Sequence, residues 1–485
     1  MDRKRSAAGA VLLAALLVSG CSTAPGRGGT SAPAPDSGKG GRPGIGREVD
    51  TADQPLSTFA IDIDTASYFY ARRQLLDGRR PDPSTIRPEE FVNAFRQDYP
   101  QPAGDGFTVN VDGARLPRGH RVASGGEARL LRIGLQTRAD TAANRPDAAL
   151  TFVVDVSGSM DEPGRLDLVK DALDYLIDQL RPSDSVAIVA YSDKAEVLRE
   201  MTPVRNKGVL HTAIAKLRAS GSTNLEAGLV RGYQVARDGF VTGASNRVIL
   251  LSDGLANVGN TKADPILRQV REEAAKQIAL LGVGVGSDYG DALMEQLADA
   301  GDGFVTYVSE QAQARQLFVT RLPATLTVRA LDAKVQVAFD ESTVDSYRLV
   351  GYEDRKLSAS DFENNRADGG EVGPGHSVTA LYVVRLKENA RGQVAEVRVR
   401  WLDPADRRAQ ERSTTVAAAD LSGEFVGVAP RLRVDYAAAF LAETLRHSSY
   451  ASEIRREDLA AIARAAFEDT DDTQVEELAK LIDRA

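Results

Sequence analysis

The sequence predicts an α/β protein with a doubly wound parallel sheet over residues 147–320, flanked by β-sandwich strands and small helical segments. Three observations predict it. First, the apolar runs "ALTFVVDV", "SVAIVAYSD", "RVILLSDG", "IALLGVGV" and "GFVTYV" alternate with helical stretches. Such runs lack polar alternation, as strands covered on both faces do. Second, strand-like stretches lie on either side of this region. Third, the chain from about 430 onward reads as helix.

Bulk properties bound the function. A chain of 485 residues is too long for one ordinary core, and two to four modules are expected. The formal net charge is -9 and no long basic run is present, so nucleic acid is not expected as a partner. Four histidines are few for His-based catalysis or His-rich metal sites.

Residues 1–20 combine a basic start, "MDRKR", with the short apolar run "SAAGAVLLAALLV" and then "LVSGC". The run is too short for a comfortable membrane span and reads as a signal peptide. With Leu17, Ser19 and Gly20 ahead of Cys21, it resembles the lipobox of bacterial lipoproteins. That resemblance implies cleavage before Cys21, lipid on its thiol and acylation of the new amino terminus, with palmitate as the acyl group. Cys21 is the only cysteine, so the fold is expected to stand without disulfides. A lipid-anchored cell-envelope protein follows. If the cell is Gram-negative, Ser22 in place of Asp after the cysteine implies the outer membrane, facing the periplasm or the surface.

Residues 21–56 are rich in Gly, Pro, Ser and Ala and predict a flexible tether. An amino-terminal extension is expected over 57–146. In it, Phe59, Ile61 and Ile63 alternate as in a half-buried strand, and Asp64 or Thr65 is placed to cap a helix. Pro88, Glu89 and Glu90 signal a second helix start. "FTVNVDGARLP" and "ARLLRIGLQTR" read as strands. In the central region, Leu166, Val169, Leu173, Leu176, Ile177 and Leu180 form one helical face. A β-sandwich is expected over 321–415 and a helical region over 416–485. The strands at 106–136 are expected to pair with those at 325–402, because isolated hairpins are marginal in water.

The stretch "LTFVVDVSGSMDE" ends a buried strand with a carboxylate and two hydroxyls. In an open α/β sheet, ligands bind beyond the carboxyl ends of the strands. Asp155, Ser157 and Ser159 sit at such an end. Thr223 in "ASGSTNLEAGL" and Asp253 in "RVILLSDGLANVG" occupy similar places. Two carboxylates and three hydroxyls make an all-oxygen set, which suits a hard divalent cation and disfavours zinc.

These motifs are similar to the metal-ion-dependent adhesion site (MIDAS) of von Willebrand factor type A (VWA) domains, a Rossmann-like fold. The family pattern Asp-x-Ser-x-Ser, then Thr, then Asp is filled at all five positions. The resemblance implies that Ser157, Ser159 and Thr223 bind the metal through their hydroxyls. Asp155 and Asp253 would bind directly or through water. Mg2+ is the expected ion, with Mn2+ and Ca2+ as alternatives, and one coordination position is left for a partner's acidic residue. The region 59–100 resembles the amino-terminal extension of a set of bacterial VWA lipoproteins, and the region after 320 resembles their carboxy-terminal domain.

Other signals are weaker. Asp62 and Asp64 read as a strand end and a helix cap rather than a second metal pair. "GVGVGSDYG" lacks the third glycine of a dinucleotide loop. His120, His211, His376 and His447 have no nearby nucleophile, and "TLRHSSYASEIRREDL" reads as solvated helix and loop. The expected function is a metal-dependent protein-binding or scaffolding module and not an enzyme. A metal-assisted hydrolase, or a structural lipoprotein with a stabilising metal, are the alternatives.

Overall fold

The computed structural model describes residues 45–117, 120, 128–139, 145–254, 263–286, 292–315, 317–318, 328–404 and 406–485, which fall in one compact unit. The expected signal peptide, Cys21 and the Gly- and Pro-rich stretch up to 44 lie outside the described residues.

The first described residues lie inside the expected tether. The short strand β1 (Val49–Asp50) pairs antiparallel with Tyr347 and Ser346, and Arg385 donates to the Glu48 carboxylate at 2.9 Å. A polar segment of this kind cannot build a core alone, but it can add to a sheet edge that already exists. The expectation of a tether reaching residue 56 is therefore wrong over 45–56.

β2 (Leu56–Ala60), α1 (Ala66–Leu76) and α2 (Pro88–Asn93) follow. Pro88 opens α2 with Glu89 and Glu90 in its first turn, as the sequence predicts. The start of α1 departs from expectation. Thr65 holds the N-cap position without a side-chain capping bond. Asp64 instead accepts the backbone N–H of Val305 at 2.8 Å and faces Arg355 at 3.3 Å, so its carboxylate ties the amino-terminal segment to the central sheet. β3 (Phe107–Arg115) and β4 (Ala128–Thr137) complete this part.

The central region runs β5 (Ala148–Asp155), α3 (Leu166–Gln179), β6 (Ser185–Tyr191), β7 (Ala195–Pro203), α4 (Lys207–Ala215) and α5 (Leu225–Asp238). It continues through β8 (Ser245–Ser252), α6 (Ala263–Ala274), β9 (Ile278–Val285), α7 (Ala292–Ala300), β10 (Phe304–Val308) and α8 (Gln311–Arg315). The sheet order is β10-β9-β8-β5-β6-β7. β5 is parallel to both neighbours and buried along its whole length. Its Leu150, Phe152 and Val154 share a core with Leu166, Val169 and Leu173 of α3. Val153 shares the opposite core with Leu225, Leu229 and Tyr233 of α5. Helices on both faces explain the absence of polar alternation. The sheet is not wholly parallel, however. β7 runs antiparallel to β6 at the edge, and its half-exposed, charge-bearing pattern hides it from a search for apolar runs.

After the central region come β11 (Ala330–Phe339), β12 (Val344–Val350), β13 (Lys356–Leu357), β14 (Gly370–Val372), β15 (Ser377–Leu386), β16 (Gln393–Leu402) and β17 (Ala409–Ala417). One antiparallel sheet has the order β1-β12-β15-β4-β3 and the other β13-β2-β11-β16-β17, with β14 also pairing β11. Strands from before and after the central region thus interleave. Leu131 of β4 lies opposite Tyr382 of β15, and Phe59 of β2 opposite Val335 of β11. Phe59, Ile133, Leu135, Val337, Tyr382 and Trp401 share the core of this sandwich. The pairing expected between the 106–136 strands and the later ones is the pairing found. β17 was not foreseen, because it is an edge strand with mostly exposed residues.

Three helices end the chain, α9 (Pro430–Leu445), α10 (Arg456–Thr470) and α11 (Thr473–Arg484). α9 is buried nearly all round. The stretch after it is not simply solvated. Arg446 and Ser448 are buried, and Arg446 donates to Glu443 at 2.5 Å and to Glu353 at 3.0 Å. Ion pairing lets these polar groups leave water.

Candidate metal centre

The site is built at the carboxyl edge of β5 and β8, the two strands at the centre of the sheet. Asp155 is the last residue of β5 and is fully buried. Its Oδ1 accepts the backbone N–H of Ser157 at 2.8 Å. Its Oδ2 accepts the hydroxyl of Ser252 at 2.7 Å and, more weakly, that of Tyr191 at 3.4 Å. Burial pushes the Asp155 carboxyl up, while the bonds from Ser157 and Ser252 pull it back. The Tyr191 hydroxyl is pushed well up by burial, then by Asp155.

From Asp155 a chain of oxygens leads outward. The Ser157 and Ser159 hydroxyls lie 3.1 Å apart, and Ser159 donates to Asp253 Oδ1 at 3.0 Å. Asp253 follows directly on β8. Of the five predicted residues, Asp155, Ser157, Thr223 and Asp253 are buried, and Ser159 is exposed. The assembly therefore opens to solvent at Ser159.

Thr223 lies in the loop that enters α5, and backbone bonds hold that loop against the first motif. Gly158 donates to the Gly221 carbonyl at 2.9 Å and Ser220 to the Val156 carbonyl at 2.7 Å. Gly221 has φ +79, and a Cβ there would meet the Asp193 carboxylate at 2.6 Å, so the turn needs glycine. Asp193 braces the same loop, taking the Ser222 backbone N–H at 3.1 Å and its hydroxyl as well. Those two bonds hold the Asp193 carboxyl below its ordinary range. Asn224 then caps α5 by accepting from the Ala227 N–H at 3.0 Å.

The donor set fits a hard divalent cation. Octahedral ligands about 2.1 Å from Mg2+ lie about 3.0 Å from one another. The Ser157–Ser159 and Ser159–Asp253 hydrogen bonds of 3.1 and 3.0 Å already hold these oxygens at about that spacing.

Three residues beside the site escaped the sequence reading. Ser252 and Tyr191 close off the inner side of Asp155. Arg165 donates to Asp253 Oδ2 at 2.5 Å and to the Ser159 carbonyl at 3.2 Å. Ser252 and Tyr191 end their own strands, so strand-end position was a usable signal for both. Arg165 stands just ahead of α3 and carried none.

Elsewhere, Asp302, Asp368 and Glu371 each bring a carboxylate oxygen within 4.8 Å of the others. Asp62 and Asp64 share Arg355, each at 3.3 Å. His120 accepts or donates at 2.8 Å with the Tyr436 hydroxyl, and burial holds its ring down at about 4.

A central strand that presents hydroxyls and carboxylates at its carboxyl edge, with no imidazole or thiol among them, defines an α/β domain built around an oxygen site. Comparison with known proteins agrees. Residues 149–320 match the von Willebrand factor type A domain. Residues 324–485 match the carboxy-terminal domain of uncharacterized protein YfbK, and residues 46–122 match a family described as von Willebrand factor. Uncharacterized protein YfbK of Escherichia coli is 31% identical over 387 residues, covering 74% of this chain and 66% of that protein. Inter-alpha-trypsin inhibitor heavy chain H1 of Mesocricetus auratus is 26% identical over 34% of this chain and 19% of its own. The chain thus spans from about a fifth to just under two thirds of these relatives. A solved structure, von Willebrand factor type A from Catenulispora acidiphila, aligns over 77% of this chain and 89% of its own at 19% identity, with a TM-score of 0.49. The chain is a VWA-domain protein with a YfbK-type carboxy-terminal domain, and is homologous to YfbK. VWA domains commonly mediate protein–protein interaction and bind metal.

Proposed function

We propose that this protein is an envelope-anchored, metal-dependent protein-binding module. Ser157, Ser159, Thr223, Asp155 and Asp253 would hold a divalent cation, most simply Mg2+. The observation that carries this reading is the run of oxygens from Ser157 through Ser159 to Asp253 at coordination-edge spacing, open to solvent at Ser159. When bound, the cation supplies a coordination position that a partner's Asp or Glu oxygen can complete. The protein's own residues do the rest. Asp155 is oriented by Ser157 and Ser252, and the Thr223 loop is stitched to the first motif. Arg165 brings a positive charge, so the two carboxylates do not outweigh a divalent ion and an anionic partner group is favoured.

A binding role is preferred to hydrolysis because both carboxylates among these five residues are assigned to the cation, which leaves neither as a general base. Anchoring through a lipid on Cys21 rests on the leader sequence.

The test is capture of partners from envelope extract with Mg2+, with EDTA, and with Asp155→Ala in Mg2+. A partner lost in the latter two supports the proposal. A partner retained in all three would move binding to the flanking domains.

A further inference from the structure

Arg165 is the one cation that touches the oxygen site among the described residues. Its side chain is only 7% exposed. One Nη1 bridges Asp253 Oδ2 and the Ser159 carbonyl, and Nη2 reaches Glu162 at 2.7 Å. The stem lies against Gly286, where φ is +98 and a Cβ would meet Arg165 Nε at 3.0 Å. The guanidinium is therefore built in, with backbone on one side and a candidate metal ligand on the other. Glu162 is 64% exposed and its charge is screened by water, whereas Asp253, the other carboxylate on this guanidinium among the described contacts, is buried.

We propose that Arg165 is the built-in counter-cation of this site: it neutralises Asp253 when no metal is bound and weakens the site's hold on a divalent cation. The inference rests on the metal-site reading above. Two effects of Arg165 oppose each other. As a donor it helps to orient Asp253, which would strengthen metal binding. As a charge it repels a divalent ion a few ångströms away, which weakens it. Orientation has a substitute, because Ser159 also donates to Asp253, at Oδ1. The charge has none. Repulsion between a unit and a double charge at such a separation amounts to about tenfold in affinity even with water-like screening, so the charge effect wins.

The test is calorimetric titration of the full-length protein with Mn2+ and with Mg2+, alone, for wild type, Arg165→Gln and Arg165→Lys. Glutamine keeps a donor and removes the charge. It is expected to bind each ion about tenfold or more tightly than wild type, and to lower the melting temperature more in EDTA than in saturating Mg2+. A residue that only braced the fold would not tighten binding. Lysine keeps the charge and is expected to stay within about threefold of wild type. Equal or weaker binding by Arg165→Gln overturns the proposal while leaving the metal site standing. If Arg165→Gln does not fold, Arg165→Lys decides, and a tenfold loss there would make Arg165 a scaffold. No binding by wild type overturns both readings.

Discussion

The Ser252 hydroxyl donates to Asp155 Oδ2 at 2.7 Å, from the end of β8 to the end of the neighbouring β5. With the Ser157 N–H on Oδ1, it fixes the rotation of the deepest carboxylate at the site. Ser252→Ala would leave that buried oxygen with the 3.4 Å contact to Tyr191 as its remaining bond. The expected cost is about 1 kcal/mol of stability, read by urea denaturation. Mg2+ affinity should fall several-fold in calorimetry. Unchanged affinity would mean that Ser252 does not orient the ligand.

Stability should depend on pH in a defined direction. Glu89 is buried, and burial first, then Glu353 and Asp62, push its carboxyl up to about 8. In the unfolded chain it titrates near ~4.3. The folded state therefore holds the proton between these values. The stabilising contribution is complete below the lower value and is lost as pH rises through the upper. Asp299, Asp302 and Asp435, each raised to about 6, act with the same sign. Wild type is expected to lose stability from pH 5 to pH 8.5. Glu89→Gln should lose less, by on the order of 2 kcal/mol, in paired denaturation curves. Parallel curves for the two proteins would locate the proton uptake elsewhere.

Arg355 joins three parts of the chain. It meets Asp299 of α7 at 2.7 Å, and Asp62 and Asp64 of the amino-terminal segment at 3.3 Å each. Its side chain is 18% exposed. Arg355→Met would leave three carboxylates without their shared cation, for an expected loss of about 3 kcal/mol. Guanidinium denaturation measures it. A loss below about 1 kcal/mol would show the cluster to behave like an exposed pair.

The proposed anchor predicts a change of compartment. Cys21→Ala should move the protein from the membrane fraction to the soluble one while leaving Mg2+ affinity unchanged. Recovery of the variant in the membrane fraction would count against lipid on Cys21.

The central sheet was legible because burial on both faces writes itself as apolar runs without polar alternation, as in Leu150 to Val154 with Thr151 alone polar, and because α3 keeps one apolar stripe. β7 and β17 were not legible. Each is an edge strand with a solvent-facing side, and its charged residues resemble a loop. The segment 45–56 misled for a related reason, since its order comes from the edge it joins and not from its own composition. At the site, the sequence pattern put Asp155 and Asp253 at the ends of buried strands, and the structure places them there. Ser252 and Arg165 needed the fold, because a hydroxyl and a guanidinium become neighbours of Asp155 and Asp253 only when strands and loops distant in sequence are brought together.

By itself the sequence determined which segments are strands and helices in the buried core, and which oxygens stand at the strand ends, because periodicity and strand-end position are local properties. Only the tertiary structure decided which flanking strand lies beside which, β4 beside β15 and β2 beside β11, that Arg355 ties α7 to the amino-terminal segment, and that a cation of the protein's own rests on Asp253. Each of these depends on pairing or charge contact between residues far apart along the chain, and no local pattern encodes such a contact.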